Sequence, residues 1–162
     1  MICVSNSSPL IFLSKIQHIS LLQKCFGQVF VPQAVVQEVG FPLLSSPYLE
    51  VEEVDETGQS FVTEEIGRLH RGELETLWLA KTLDADVVLL DDRRARMKAE
   101  TLGLKPLGTL GVLVYAHKLG VLNLTEARQA VASLQTEADM YVSRHIVQQI
   151  DEQLERQDRD ER

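Results

Sequence analysis

Apolar residues fall along this chain into short continuous runs, separated by longer stretches in which they recur every three or four positions. The first pattern marks strands buried on both faces, and the second marks helices packed along one side. Met1–Ser5, Gln28–Val31, Tyr48–Val54, Asp86–Leu90 and Lys105–Leu107 read as strands. Helices are expected over Leu10–Ile16, His18–Phe26, Pro32–Val39, Thr63–Leu69, Gly72–Leu83, Arg93–Leu102, Thr109–Leu119, Leu124–Gln135 and Ser143 to about Arg156. Pro9 suits a first helical turn, and Gly27, Gly40, Gly103 and Gly120 each follow a helix end. Phe41–Gln59, with Pro42 and Pro47, is the least regular stretch. Strands alternating with helices imply an α/β fold with a central, mostly parallel sheet flanked by helices. Residues 1–156 read as a single domain, and 157–162 as a charged, flexible tail.

The strand ends carry the chemistry. Asp91 and Asp92 close the run Val87-Val88-Leu89-Leu90 and stand just before Arg93-Arg94-Ala95-Arg96. A parallel sheet brings its strand tips to one edge, and ligands bind in the crevice beyond them. With the first strand central, Asn6 reaches the same edge. Glu38 ends the helix after Pro32, and Glu73 and Glu75 lie in the first turn of the helix after Gly72. Oxygen donors from four regions of the chain suit a hard cation such as Mg²⁺ or Mn²⁺. The four histidines lack the spacing of zinc ligands. Each donor also has a plain structural use. The aspartate doublet and the two glutamates complement helix N-termini, Asn6 suits a cap, and Glu38 a solvated helix end. Glu73 and Glu75 lie two residues apart, so only one readily faces a shared site.

Composition narrows the partners. The chain has 162 residues, 44% hydrophobic and 25% charged, with a net charge of −8. That balance suits a soluble domain and excludes a broad phosphate-neutralising surface, though not a local nucleic-acid site. Cys3 and Cys25 form no disulfide framework, which points to a reduced, cytoplasmic protein. No apolar run reaches membrane-spanning length.

The chain resembles the PIN-domain nucleases, and among them a PIN-like, toxin-like branch of uncharacterised prokaryotic proteins. The resemblance rests on Val4-Ser5-Asn6-Ser7-Ser8-Pro9-Leu10-Ile11, Val31-Pro32-Gln33-Ala34-Val35-Val36-Gln37-Glu38-Val39 and Arg71-Gly72-Glu73-Leu74-Glu75. It continues through Val88 to Arg96 and Gly108-Thr109-Leu110-Gly111-Val112-Leu113, in family order, up to about Leu122. It implies metal-dependent cleavage of RNA with Mg²⁺ or Mn²⁺, held by Asn6, Glu38, Glu75, Asp91 and Asp92. Glu73 is the competing register for Glu75. The four carboxylates would be catalytic, with Ser8, Arg93, Arg94, Arg96 and Thr109 near the substrate. It further implies a homodimer and a small antitoxin protein as partner.

Asn6 departs from the family, which usually has an aspartate there. An amide oxygen can coordinate a hard cation but brings no charge and cannot act as a base. Two readings follow: a metal-dependent endoribonuclease with a weakened site, or a catalytically degenerate PIN-like protein retained for binding or regulation.

Overall fold

The structure, a computed structural model, describes residues 1–162, except for the side chains of Phe41 and Pro42. Five short strands follow the apolar runs: β1 (Cys3–Ser5), β2 (Val29–Pro32), β3 (Leu49–Glu52), β4 (Val87–Leu89) and β5 (Pro106–Leu107). They form one sheet in the order β3-β2-β1-β4-β5, every neighbouring pair parallel. The expected α/β class with a central parallel sheet is therefore what the chain adopts. β1 lies in the middle, with Cys3 opposite both Val29 and Val87.

Both faces of the central strands are apolar, because helices cover both. Cys3 and Leu89 point into the larger core, while Val4, Val88 and Leu90 point into the smaller one. This is the alternation that a pleated strand imposes. The larger core is filled from α1 (Ser7–Lys15), α2 (Leu21–Phe26), α3 (Gln33–Val39), α8 (Thr109–Lys118), α9 (Leu124–Thr136) and α10 (Arg144–Asp160), with Leu10, Leu22, Val35, Leu113, Leu134 and Leu154. The smaller core takes Leu77, Leu79 and Ala80 from α6 (Arg71–Thr82), and Ala95 and Ala99 from α7 (Arg93–Thr101). Leu113 is fully buried. Leu113→Ala is expected to lower the unfolding free energy by about 3 kcal/mol, measurable by urea denaturation.

Several boundaries differ from the sequence reading; α1, for one, begins at Ser7 rather than Leu10. The stretch expected to be least regular holds α4 (Phe41–Leu44) and then α5 (Glu56–Glu65). The helix expected over Thr63–Leu69 is thus α5, which starts at Glu56 and stops at Glu65. Asp55 caps it, its Oδ1 accepting from the Gly58 N–H at 2.7 Å. The last helix, α10, runs on through Gln157–Asp160, beyond the end near Arg156 read from the sequence. That helix is fastened by buried Leu154 and by Arg128, which pairs with Asp151 and Glu155 at 2.6 Å each.

Candidate active site at the ends of β1 and β4

The Asn6 N–H donates to the Leu89 carbonyl at 3.0 Å, extending the β1–β4 ladder to the start of α1. Asn6 occupies the N-cap position of α1, yet its side chain makes no capping bond. It is 5% exposed, and its buried Oδ1 has no hydrogen-bond partner. An orphaned buried oxygen costs about 1–3 kcal/mol, which a simple cap would have avoided. Glu38, from α3, meets it over Gly72 at the start of α6. A Cβ on Gly72 would collide with Glu38 Oε1 and lie 3.5 Å from Asn6 Oδ1. The absent side chain is what lets both oxygens approach. Ser7 Oγ donates to the other Glu38 oxygen, Oε2, at 2.5 Å and so orients that otherwise exposed carboxylate.

Glu73 and Glu75 are both buried but diverge. Glu75 Oε1 accepts from the Ala34 N–H at 3.2 Å, and Oε2 lies 3.6 Å from Arg71 Nη1. It therefore fastens the start of α6 to the first turn of α3, where the helix dipole favours a carboxylate. Glu73 Oε2 accepts from the His70 N–H at 3.0 Å, which caps α6. Burial raises the Glu73 pKa above the ordinary carboxylate value; the His70 hydrogen bond opposes that, and the negative charges of Asp92 and Glu38 add to it. Glu73 thus shares its electrostatic surroundings with both of those carboxylates.

The aspartate doublet also splits. Both Asp91 oxygens are occupied by Thr109, Oδ1 by its N–H and Oδ2 by its hydroxyl, each at 2.7 Å. Arg96 Nη1 donates to the Asp91 carbonyl at 2.7 Å. Burial raises the Asp91 pKa, against the lowering effect of the Thr109 bonds and the Arg96 charge. Asp92 is exposed and caps α7, its Oδ1 accepting from the Ala95 N–H at 2.9 Å. It lines a cleft of about 470 Å³ together with Glu73, His70, Arg68, Arg71 and Arg94. Two carboxylates therefore sit among three arginines, at the sheet edge where a parallel fold binds its ligands.

The family model for the PIN domain matches residues 2–156, the sheet and all but the last residues of α10. The chain belongs to the PIN-domain family. No curated protein and no solved structure shows significant similarity to it. PIN domains are usually nucleases and generally use divalent metal ions. No helix among the described residues is long and apolar enough to cross a membrane.

Within this PIN domain the expected site residues fall into two groups. Asn6 and Glu38 come together over Gly72, with Glu73 and Asp92 electrostatically coupled beside them. Glu75, Asp91, Thr109 and Arg96 are engaged in fastening helices and strand ends to one another. Arg94 lines the cleft, whereas Arg93 is exposed outside its lining. Ser8 is half-buried, and the hydroxyl that reaches Glu38 belongs to its neighbour Ser7. Ser7 and His70 were not among the expected site residues. The only signal for Ser7 was its place directly after the strand-end asparagine.

Among the described residues, no three His, Cys, Asp or Glu side chains converge into a cation cage. The donors present fit a looser arrangement. Mg²⁺-class ions keep several waters and take one or two carboxylates plus substrate phosphates. The orphaned Asn6 Oδ1 and the Glu38 Oε1, which both approach Gly72, are oxygens of the right kind, and the Glu73 charge interacts with those of Glu38 and Asp92.

Proposed function

We propose that this PIN domain is a metal-dependent endoribonuclease, with Asn6, Glu38, Glu73 and Asp92 holding Mg²⁺ or Mn²⁺. The observation that carries the reading is the buried, unpartnered Asn6 Oδ1, facing Glu38 at the one residue of α6 that has no side chain. When bound, such an ion polarises a phosphoryl oxygen and lowers the pKa of an attacking water. Glu38, oriented by Ser7, supplies charge where Asn6 cannot. Arg71 and Arg94 hold the phosphates flanking the scissile bond by charge-assisted hydrogen bonds. Asp91 acts at one remove, by fixing the end of β4 to the start of α8 so that Asp92 is presented to the cleft. The resemblance of the sequence to PIN-domain toxins extends the proposal to a cytoplasmic homodimer, the toxin of a pair restrained by a small antitoxin protein.

The test is cleavage of single-stranded RNA by the purified chain with Mn²⁺ or Mg²⁺, and again in excess chelator. Turnover that persists in chelator overturns the reading. Absence of turnover together with retained RNA binding supports the degenerate alternative, which the uncharged Asn6 favours. Asn6→Asp is expected to tighten cation binding by roughly tenfold, about 1.4 kcal/mol, and to raise the cleavage rate. Titration calorimetry with Mn²⁺ showing unchanged affinity would remove Asn6 from the ligand set.

A further inference from the structure

The cleft that holds Glu73 and Asp92 does not end at its own wall. Gly67, Arg68, Leu69 and Arg94 also line a neighbouring groove of about 800 Å³, which runs along α7 past Met97, Lys98 and Thr101. Its surface is mixed in a particular way. Met97 is 56% exposed, and half-buried Leu69 shares the same groove. Arg68, Arg94 and Lys98 add cationic groups along its length. Glu65 and Glu100 line it as well, and Glu65 Oε2 lies 3.6 Å from Lys98 Nζ. That separation is long, and both partners are part-exposed, so the pair contributes little and yields readily to a competing anion. Of the four cations in the segment Arg93–Lys98, Arg94 and Lys98 line the groove.

Resting on the nuclease reading above, we propose that this groove is the track for the nucleotides on one side of the scissile phosphate, and that it takes a single strand. Three observations converge on that occupant. The groove is continuous with the acidic cleft, so a strand whose phosphate lies at Glu73 and Asp92 leads directly into it. Its cations suit successive phosphates. Its thioether and leucine surface suits the exposed faces of unstacked bases, which a duplex keeps hidden. Alternating cationic and apolar contacts are how proteins hold single strands without reading sequence.

The test measures binding without added divalent cation, in a Glu73→Gln background that slows cleavage further, with labelled oligouridines of three and ten nucleotides. The longer strand is expected to bind at least about tenfold tighter, since one added base contact is worth on the order of that factor. Lys98→Ala and Met97→Ala, neither in the cleft, are each expected to weaken decamer binding at least about threefold and to leave the trimer unchanged. Lys98→Ala is also expected to reduce the slope of log affinity against log salt by about 0.7, the loss of one phosphate contact on a single strand. Equal affinity for the two lengths would overturn the proposal, and so would a ten-base-pair duplex bound as tightly as the single strand. Decamer binding unchanged in both groove variants would also overturn it and leave the groove to a protein segment. Because binding is read without turnover, failure of the track and failure of the nuclease reading are distinguishable.

Discussion

Glu73→Gln is expected to lower RNA cleavage by roughly 100-fold or more, the scale of removing one electrostatic partner from a transition state, while making the fold more stable at neutral pH. The two effects have one cause. Burial and the neighbouring Asp92 and Glu38 charges raise the Glu73 pKa in the folded chain. The folded state therefore binds the Glu73 proton more tightly than the unfolded state does. Below the unfolded pKa both states are protonated and nothing is lost. As pH rises through the folded pKa the native state must carry a buried charge, and stability falls. Glutamine removes that charge and can still accept the His70 N–H that caps α6. Thermal melts should thus show a higher Tm for the variant at pH 7, converging on the parent as pH falls below the carboxylate range. Glu75→Gln should behave in the opposite sense. It retains most of the cleavage and loses stability, because it weakens the tie to the Ala34 N–H and the contact with Arg71.

Asp91→Ala is expected to destabilise the protein by about 3 kcal/mol, because it strands the N–H and hydroxyl of buried Thr109 together. Asp92→Ala loses the α7 cap and costs about 1 kcal/mol, yet it is expected to eliminate cleavage. Asp91→Asn separates structure from chemistry more finely. The amide oxygen keeps the Thr109 N–H bond, and the threonine hydroxyl can turn to accept from the amide nitrogen. That variant should stay folded and keep measurable cleavage, whereas Asp92→Asn should not. Denaturant melts beside a nuclease assay give the ordering. Equal loss of activity in Asp91→Asn and Asp92→Asn, with folding intact in both, would return Asp91 to the cation.

The regions that build the site were legible from the sequence; the atoms within them were less so. A parallel sheet with β1 in its middle sends Asn6, Glu38, the start of α6 and the end of β4 to one edge; strands alternating with helices imply the parallel sheet, while the central place of β1 comes from the structure. Spacing also shows that Glu73 and Glu75 must diverge. It does not show which one meets the cleft, because that depends on where the first turn of α3 lies, and there the Ala34 N–H claims Glu75. The doublet is resolved in the same way by Thr109, eighteen residues downstream of Asp91. Ser7 and Ser8 are indistinguishable as residue types and differ only in which way α1 turns them. The early start of α5 was missed because its capping residue, Asp55, lies in an acidic stretch that reads as loop.

The two halves of the site hang from different bodies of the protein. Glu38 is carried by α3, whose Val35 belongs to the larger core, while Glu73 and Asp92 sit at the starts of α6 and α7, which build the smaller one. A cation gripped by both halves would therefore be a rivet through the sheet edge, adding to the direct tie between the layers that Glu75 makes to the Ala34 N–H. Its affinity is then written into the resistance of the whole chain to heat. Saturating Mn²⁺ at a hundred times its dissociation constant should add about 2.7 kcal/mol to the folded state, and Glu38→Gln should forfeit most of that gain.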